Sequence, residues 1–230
     1  MKKLTGSSTA ETEKKRPHPI PHPGRGDARE RRVVQWYELK TTMKFCETSI
    51  QGAYVIEPER LEDERGFFAR SWCQQEFADQ GLNTDLTQCN LSFNRQRGTL
   101  RGMHYQSEPD GETKIIRCTM GAIFDVIIDL RHNSPSYLQW LGIELTAENR
   151  LMLYIPPFVA HGFLTRVDST EVFYQMSDPF VPKSARGVRW NDKAFRIQWP
   201  ESPVVISQRD NLYPDYEVRS FSQLQGSPSV

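Results

Sequence analysis

A succession of short, strand-like runs separated by turn residues restricts this chain's fold more than any other feature. Residues 85–93, 99–105, 115–119, 123–130, 137–145, 151–155, 162–167 and 171–176 are each rich in apolar, β-branched or aromatic side chains. Between the later runs stand Glu148-Asn149, Pro156-Pro157 and Asp168-Ser169, which favour turns through local hydrogen bonding or a preset φ. Regularly spaced strands of this kind predict an all-β sandwich or barrel. Met120-Gly121, flanked by two of the runs, predicts a hairpin that joins 115–119 to 123–130. One helix is expected over 71–80. Ser71 can cap it, Gln74 can complete a capping box, Gly81 can end it, and Cys73 and Phe77 would share its buried face.

Charge divides the chain. The whole sequence of 230 residues balances 29 Lys and Arg against 29 Asp and Glu, which argues against nucleic acid as a partner. Residues 1–32, however, carry nine basic and four acidic residues, only five apolar ones, and the run Pro17-His18-Pro19-Ile20-Pro21-His22-Pro23. Such a segment cannot bury enough apolar surface to offset its ordering entropy, so 1–42 reads as a disordered basic leader. Met43 then reads as the natural start, and 43–230 as one domain. No run approaches the ~18 apolar residues of a membrane span. Cys46, Cys73, Cys89 and Cys118 include no CxxC pair and read as reduced thiols, so a cytoplasmic protein is expected.

Three histidines follow the leader. His132, between Arg131 and Asn133, reads as a solvated loop residue. His104 lies in Arg101-Gly102-Met103-His104-Tyr105-Gln106, where strand alternation puts Gly102, His104 and Gln106 on one face. Gly102 leaves room beside it for a ligand or a close backbone. His161 follows a turn, 156–160, that can aim it. Taken singly, a strand histidine such as His104 is more often merely hydrogen-bonded in the core, and His161 has the same alternative. There is no His-x-His pair, so no metal is expected. Arg65, Arg101, Lys114 and Arg209 lie in or beside strands and would suit a diphosphate if they converged.

Asp63-Glu64-Arg65-Gly66-Phe67-Phe68, Arg101 through Gln106, 156–163 and Trp190-Asn191-Asp192 closely resemble the dTDP-4-dehydrorhamnose 3,5-epimerase family, in order and across nearly the whole domain. The resemblance implies a cupin-type jelly-roll barrel with a few short helices. It also implies a homodimer that binds a dTDP-linked 4-keto-6-deoxyhexose and needs no cofactor. It implies His104 as base, Asp210 as its orienting carboxylate, Tyr174 as proton donor and Lys114 as the cation beside the keto oxygen. Arg65, Gln88, Asn90, Arg101, Lys114, His161, Phe180 and Arg209 match substrate-binding positions, some reaching across the dimer. Departures are Arg70 and Ala185 where glutamates are usual, Phe180 in place of a stacking tyrosine, and Arg209 in place of a lysine. Proton transfer should therefore follow the family, with nucleotide or sugar recognition altered. The alternatives are an epimerase inverting C3 or C5 alone, a non-catalytic sugar-nucleotide-binding cupin, and a metal-dependent cupin oxygenase.

Overall fold

A computed structural model describes residues 42–218, so all of the expected leader but Thr42 lies outside the described residues. In chain order the elements are β1 (Met43–Glu47), β2 (Tyr54–Pro58), β3 (Arg60–Asp63), β4 (Gly66–Ala69), α1 (Gln74–Asp79), β5 (Gln88–Asn94), β6 (Thr99–Gln106) and β7 (Lys114–Met120). Then come β8 (Ala122–Asp129), β9 (Trp140–Thr146), β10 (Met152–Ile155), β11 (Val159–Thr165), β12 (Thr170–Met176), β13 (Ala185–Gly187), β14 (Val205–Ile206) and α2 (Gln208–Asn211). Two large sheets have the orders β1-β2-β10-β7-β12-β5 and β13-β6-β11-β8-β9, with β14 beside β6; β3 and β4 form a separate hairpin. This is a jelly roll, and the all-β expectation holds. No helix among the described residues is long and apolar enough to cross a membrane.

The period of two in the sequence explains the layers. On β8, Ile123 and Ile127 point between the sheets to meet Ile116, Cys118, Leu153 and Val172. The intervening Val126 and Ile128 point outward, where Val188 and Phe195 of the C-terminal segment cover them. The outer face of the other sheet is covered by α1, whose Phe77 is fully buried among Met43, Ile56, Ile115, Met152 and Tyr154. Burying a side chain of that size stabilises the fold by about 2–3 kcal/mol, enough to pin a six-residue helix that could not persist alone.

Four local expectations need correction. Runs 115–119 and 123–130 are not a hairpin: β7 pairs with β10 and β12, whereas β8 pairs with β9 and β11. Both runs carry an apolar inner face, so they meet across the core and the chain changes sheet at Gly121. That residue has φ +78°, and the site of its missing Cβ lies 2.5 Å from Thr170 Oγ1, which excludes a larger side chain. The helix is shorter than expected. Cys73, in extended conformation, caps it without a side-chain hydrogen bond, while Gly81 ends it at φ +69°. The run at 137–145 begins as a strand only at Trp140. Ahead of it, Asp129 takes hydrogen bonds from Ser134 and Ser136 and knots the chain. His132 is not simply solvated; its ring lies 4.8 Å from that of Tyr137.

Candidate active site

A cavity of about 610 Å³ opens between the inner faces of the two sheets. One sheet contributes Lys114 from β7, Tyr174 and Met176 from β12, and Ser92 from β5; the other contributes Arg101 and His104 from β6 and His161 and Phe163 from β11. The segment Val205 to Asp210 closes one side, and Phe180, Ala185 and Arg186 line it further out. Several of these residues share a strand face with core residues. Tyr174 follows Val172 by two, as His161 follows Val159. The apolar members fill the closed end of the sandwich, and the polar members face the open end.

Strict alternation would set Arg101 and His104 on opposite faces, yet both line the cavity. The pairing of β6 with β11 resolves this. His161 sits opposite His104, but Phe163 sits opposite Arg101, so two steps along β11 match three along β6. The extra residue is a β-bulge, which re-aims the side chains around it. Gly102 makes the bulge possible at φ +140°. A Cβ there would lie 2.5 Å from Gly162 Cα, so the space it leaves is taken by the neighbouring backbone.

His104 Nε2 is 2.7 Å from Asp210 Oδ1. Asp210 belongs to α2, where Ser207 Oγ accepts its backbone N–H, and Asp210 Oδ2 accepts the N–H of Gly102. Burial acts to raise the Asp210 pKa, but the His104 contact and these N–H and hydroxyl dipoles outweigh it and hold the carboxyl below its usual range. An ionised carboxylate only accepts, so the proton between the pair sits on Nε2, and in the neutral imidazole the lone pair is then on the other ring nitrogen.

Two further pairs share this region. His161 Nε2 is 2.9 Å from Asp125 Oδ2. Asp125 is fully buried between the inward-facing Ile123 and Ile127, its Oδ1 has no hydrogen-bond partner, and burial pushes its pKa up against the pull of His161. Lys114 Nζ is 2.6 Å from Glu112 Oε1, both side chains being largely buried. Among the described residues the Tyr174 hydroxyl has no hydrogen-bond partner, and it stands on the wall contributed by the other sheet from His104.

Of the residues singled out in the sequence, His104, Tyr174, Asp210, Lys114, Arg101, His161, Phe180 and Arg209 all line the cavity. Gln88 and Asn90 are not among the residues that line it, although they share a face of β5 with Ser92, which does. Gln88 accepts the backbone N–H of Phe180, and Asn90 is 3.6 Å from the sulfur of Met176. Arg65 is not at this cavity; it lies at the exposed turn of the β3–β4 hairpin, bonded to Asp63. Arg70 is likewise elsewhere, paired with Glu76. Reading the sequence missed Asp125, Glu112 and Arg186. A lone acid within the apolar run 123–128 was a signal for Asp125, and the two-residue spacing from Lys114 was one for Glu112. Among the described residues no three His, Cys, Asp or Glu side chains converge as a metal site would require.

Comparison with known proteins bears on this site. The family model for dTDP-4-dehydrorhamnose 3,5-epimerase matches residues 47–217. The dTDP-4-dehydrorhamnose 3,5-epimerase of Shigella flexneri is 38% identical over 169 residues, 73% of this chain and 93% of the relative. The crystal structure of the Bacillus anthracis enzyme of the same name, with TDP and pyrophosphate bound, superposes with a TM-score of 0.74 at 38% identity, covering 76% of this chain and 100% of that one. A 3'-monoepimerase from Streptomyces bikiniensis, solved with dTDP-quinovose, gives a TM-score of 0.68 at 30% identity over 73% of this chain and 85% of that one.

Proposed function

The chain belongs to the dTDP-4-dehydrorhamnose 3,5-epimerase family and is an epimerase of nucleotide sugars with a cupin-type fold, and from that premise we propose how its cavity divides the work. The substrate is dTDP-4-dehydro-6-deoxyglucose, whose C3 and C5 protons flank a ketone. His104 removes such a proton through the ring nitrogen turned away from Asp210, and Asp210 stabilises the imidazolium that results. The electron pair left on carbon moves to the keto oxygen, and the buried cation of Lys114 stabilises that enolate. Tyr174 then delivers its hydroxyl proton to the opposite face of the carbon and recovers one from solvent, while His104 gives up its proton. Performed at C3 and at C5, this inverts both centres and gives dTDP-4-dehydro-L-rhamnose, whose ketone a separate reduction must convert to reach dTDP-L-rhamnose.

The observation that carries this reading is the His104–Asp210 contact on one wall with the unpartnered Tyr174 hydroxyl on the other. A binding module has no use for a base facing an acid. Arg101 and Arg209 supply charge for the diphosphate, His161 adds a hydrogen-bonding ring beside them, and Phe180 offers a ring face to the base without a hydroxyl. Arg65 supports a homodimer in which the β3–β4 hairpin serves the partner's cavity. Re-assembling R65A with H104N subunits then restores activity that neither homodimer has; failure to restore it breaks the dimer reading. The four free cysteines support a reducing, cytoplasmic setting.

Proton NMR of the substrate with enzyme in D2O tests the function. Deuterium at both C3 and C5 is expected. Exchange at one carbon alone would favour the second reading, a single epimerase, which the similarity to the Streptomyces 3'-monoepimerase brings into play. No exchange at all would refute both.

A further inference from the structure

Tyr213 lies just beyond α2, outside the cavity lining, yet it touches two residues that line it. Its ring stands edge-on to His104, with centroids 6.2 Å apart and planes at 70°. The guanidinium of Arg209 sits over the same ring, 5.9 Å from its centroid. A glycine gives the ring its seat: a Cβ at Gly187 would come within 2.3 Å of two ring carbons. Gly187 is in turn the β13 residue paired with His104 in the sheet register. The far end of this segment is tied down, since Arg189 donates to the Tyr213 carbonyl and pairs with Asp215. Burial pushes the Tyr213 hydroxyl pKa up in spite of Arg209, so the side chain stays neutral.

We propose that Tyr213 is a positioning residue that holds the imidazole of His104 in the plane where it meets Asp210, and sets Arg209 at the cavity edge from the same ring. His104 needs such a brace because its side chain is 42% exposed, and a single hydrogen bond to Asp210 leaves rotation about that bond free. An edge-on ring on the non-cavity side removes that freedom without occupying substrate space. The idea rests on His104 being the base.

The test is the pH dependence of kcat in Y213F, Y213L and G187A, with thermal melts to confirm folding. Y213F keeps the ring and is expected within about twofold of wild type. Y213L and G187A are expected to lose about ten- to a hundredfold in kcat, the scale of a misplaced catalytic group. They should also shift the acidic limb of the profile to lower pH, because an imidazolium that slips from Asp210 loses its counter-charge. A loss confined to KM with the limb unmoved would make Tyr213 a binding wall and overturn the proposal, as would a Y213F enzyme as impaired as Y213L. If H104N still exchanged the α-proton, the reading beneath the proposal would fail instead, independently of how the Tyr213 variants behave.

Discussion

The molecule contains two histidine–aspartate pairs of nearly the same length, 2.7 Å for His104–Asp210 and 2.9 Å for His161–Asp125, and their surroundings make them chemically different. Asp210 comes from a helical turn 106 residues away in sequence, and both of its oxygens have partners. Its carboxyl is held in the ionised form, which makes the attached imidazole a better base. Asp125 sits on a strand between two core isoleucines, with one oxygen unpartnered and its carboxyl pushed toward the neutral form. Such a group can aim His161 but cannot lend it much charge. Distance alone would not have separated a proton-transfer pair from a positioning pair; the count of hydrogen bonds to each carboxylate does.

Substitutions can break this contrast, and the largest effect belongs to the base. H104N is expected to lower α-proton exchange by about 10⁴-fold, the upper range for removal of a general base, read as deuterium incorporation by NMR. Y174F should separate the two half-reactions: exchange continues at the face served by His104, while inverted product falls about a hundredfold by chromatography. D210N should cost about a hundredfold in kcat, whereas D125N should cost less than about tenfold in kcat and act mainly on KM for the nucleotide sugar. Equal kcat losses in the two asparagine variants would erase the distinction drawn between the pairs.

The smallest effect is on stability, and its sign differs between the pairs. The lowered pKa of Asp210 contributes stability above the ordinary carboxyl range, and this is lost as pH falls through the folded value. The raised pKa of Asp125 works the other way, because stability falls as pH rises from the ordinary carboxyl range to the raised folded value. Urea unfolding at pH 3, pH 4 and pH 7 should therefore show D210N losing ground to wild type between the two lower values, and D125N gaining it between the two higher ones. Parallel shifts in the two variants would contradict the assigned environments.

Much of this was legible in the residues. The run 123–130, apolar at nearly every position, read as a strand, and β8 is one, covered on both faces. The chemistry-bearing set was equally visible through its motifs, and eight of its members line one cavity. The misses share a cause. The expected hairpin at Met120-Gly121 had sound turn chemistry, but a turn residue does not say whether the next strand returns beside the last one or crosses to the facing sheet. Strict alternation along β6 cannot bring Arg101 and His104 to one cavity, because the bulge at Gly102 that does so depends on how closely the β11 backbone approaches at Gly162.

What the sequence determined by itself is therefore local: where strands run, which residues alternate inward, and which side chains carry acid, base and charge. Alternation is a property of the pleated backbone and needs no partner to be read. Only the tertiary structure decided that Asp210 meets His104, that Tyr174 stands on the opposing sheet, that Gly187 gives up its side chain to seat Tyr213, and that Arg65 leaves the cavity of its own chain. Each of those contacts joins segments distant in sequence through packing, where steric exclusion and burial of charge set the outcome, and neither is encoded in the order of residues along a single strand.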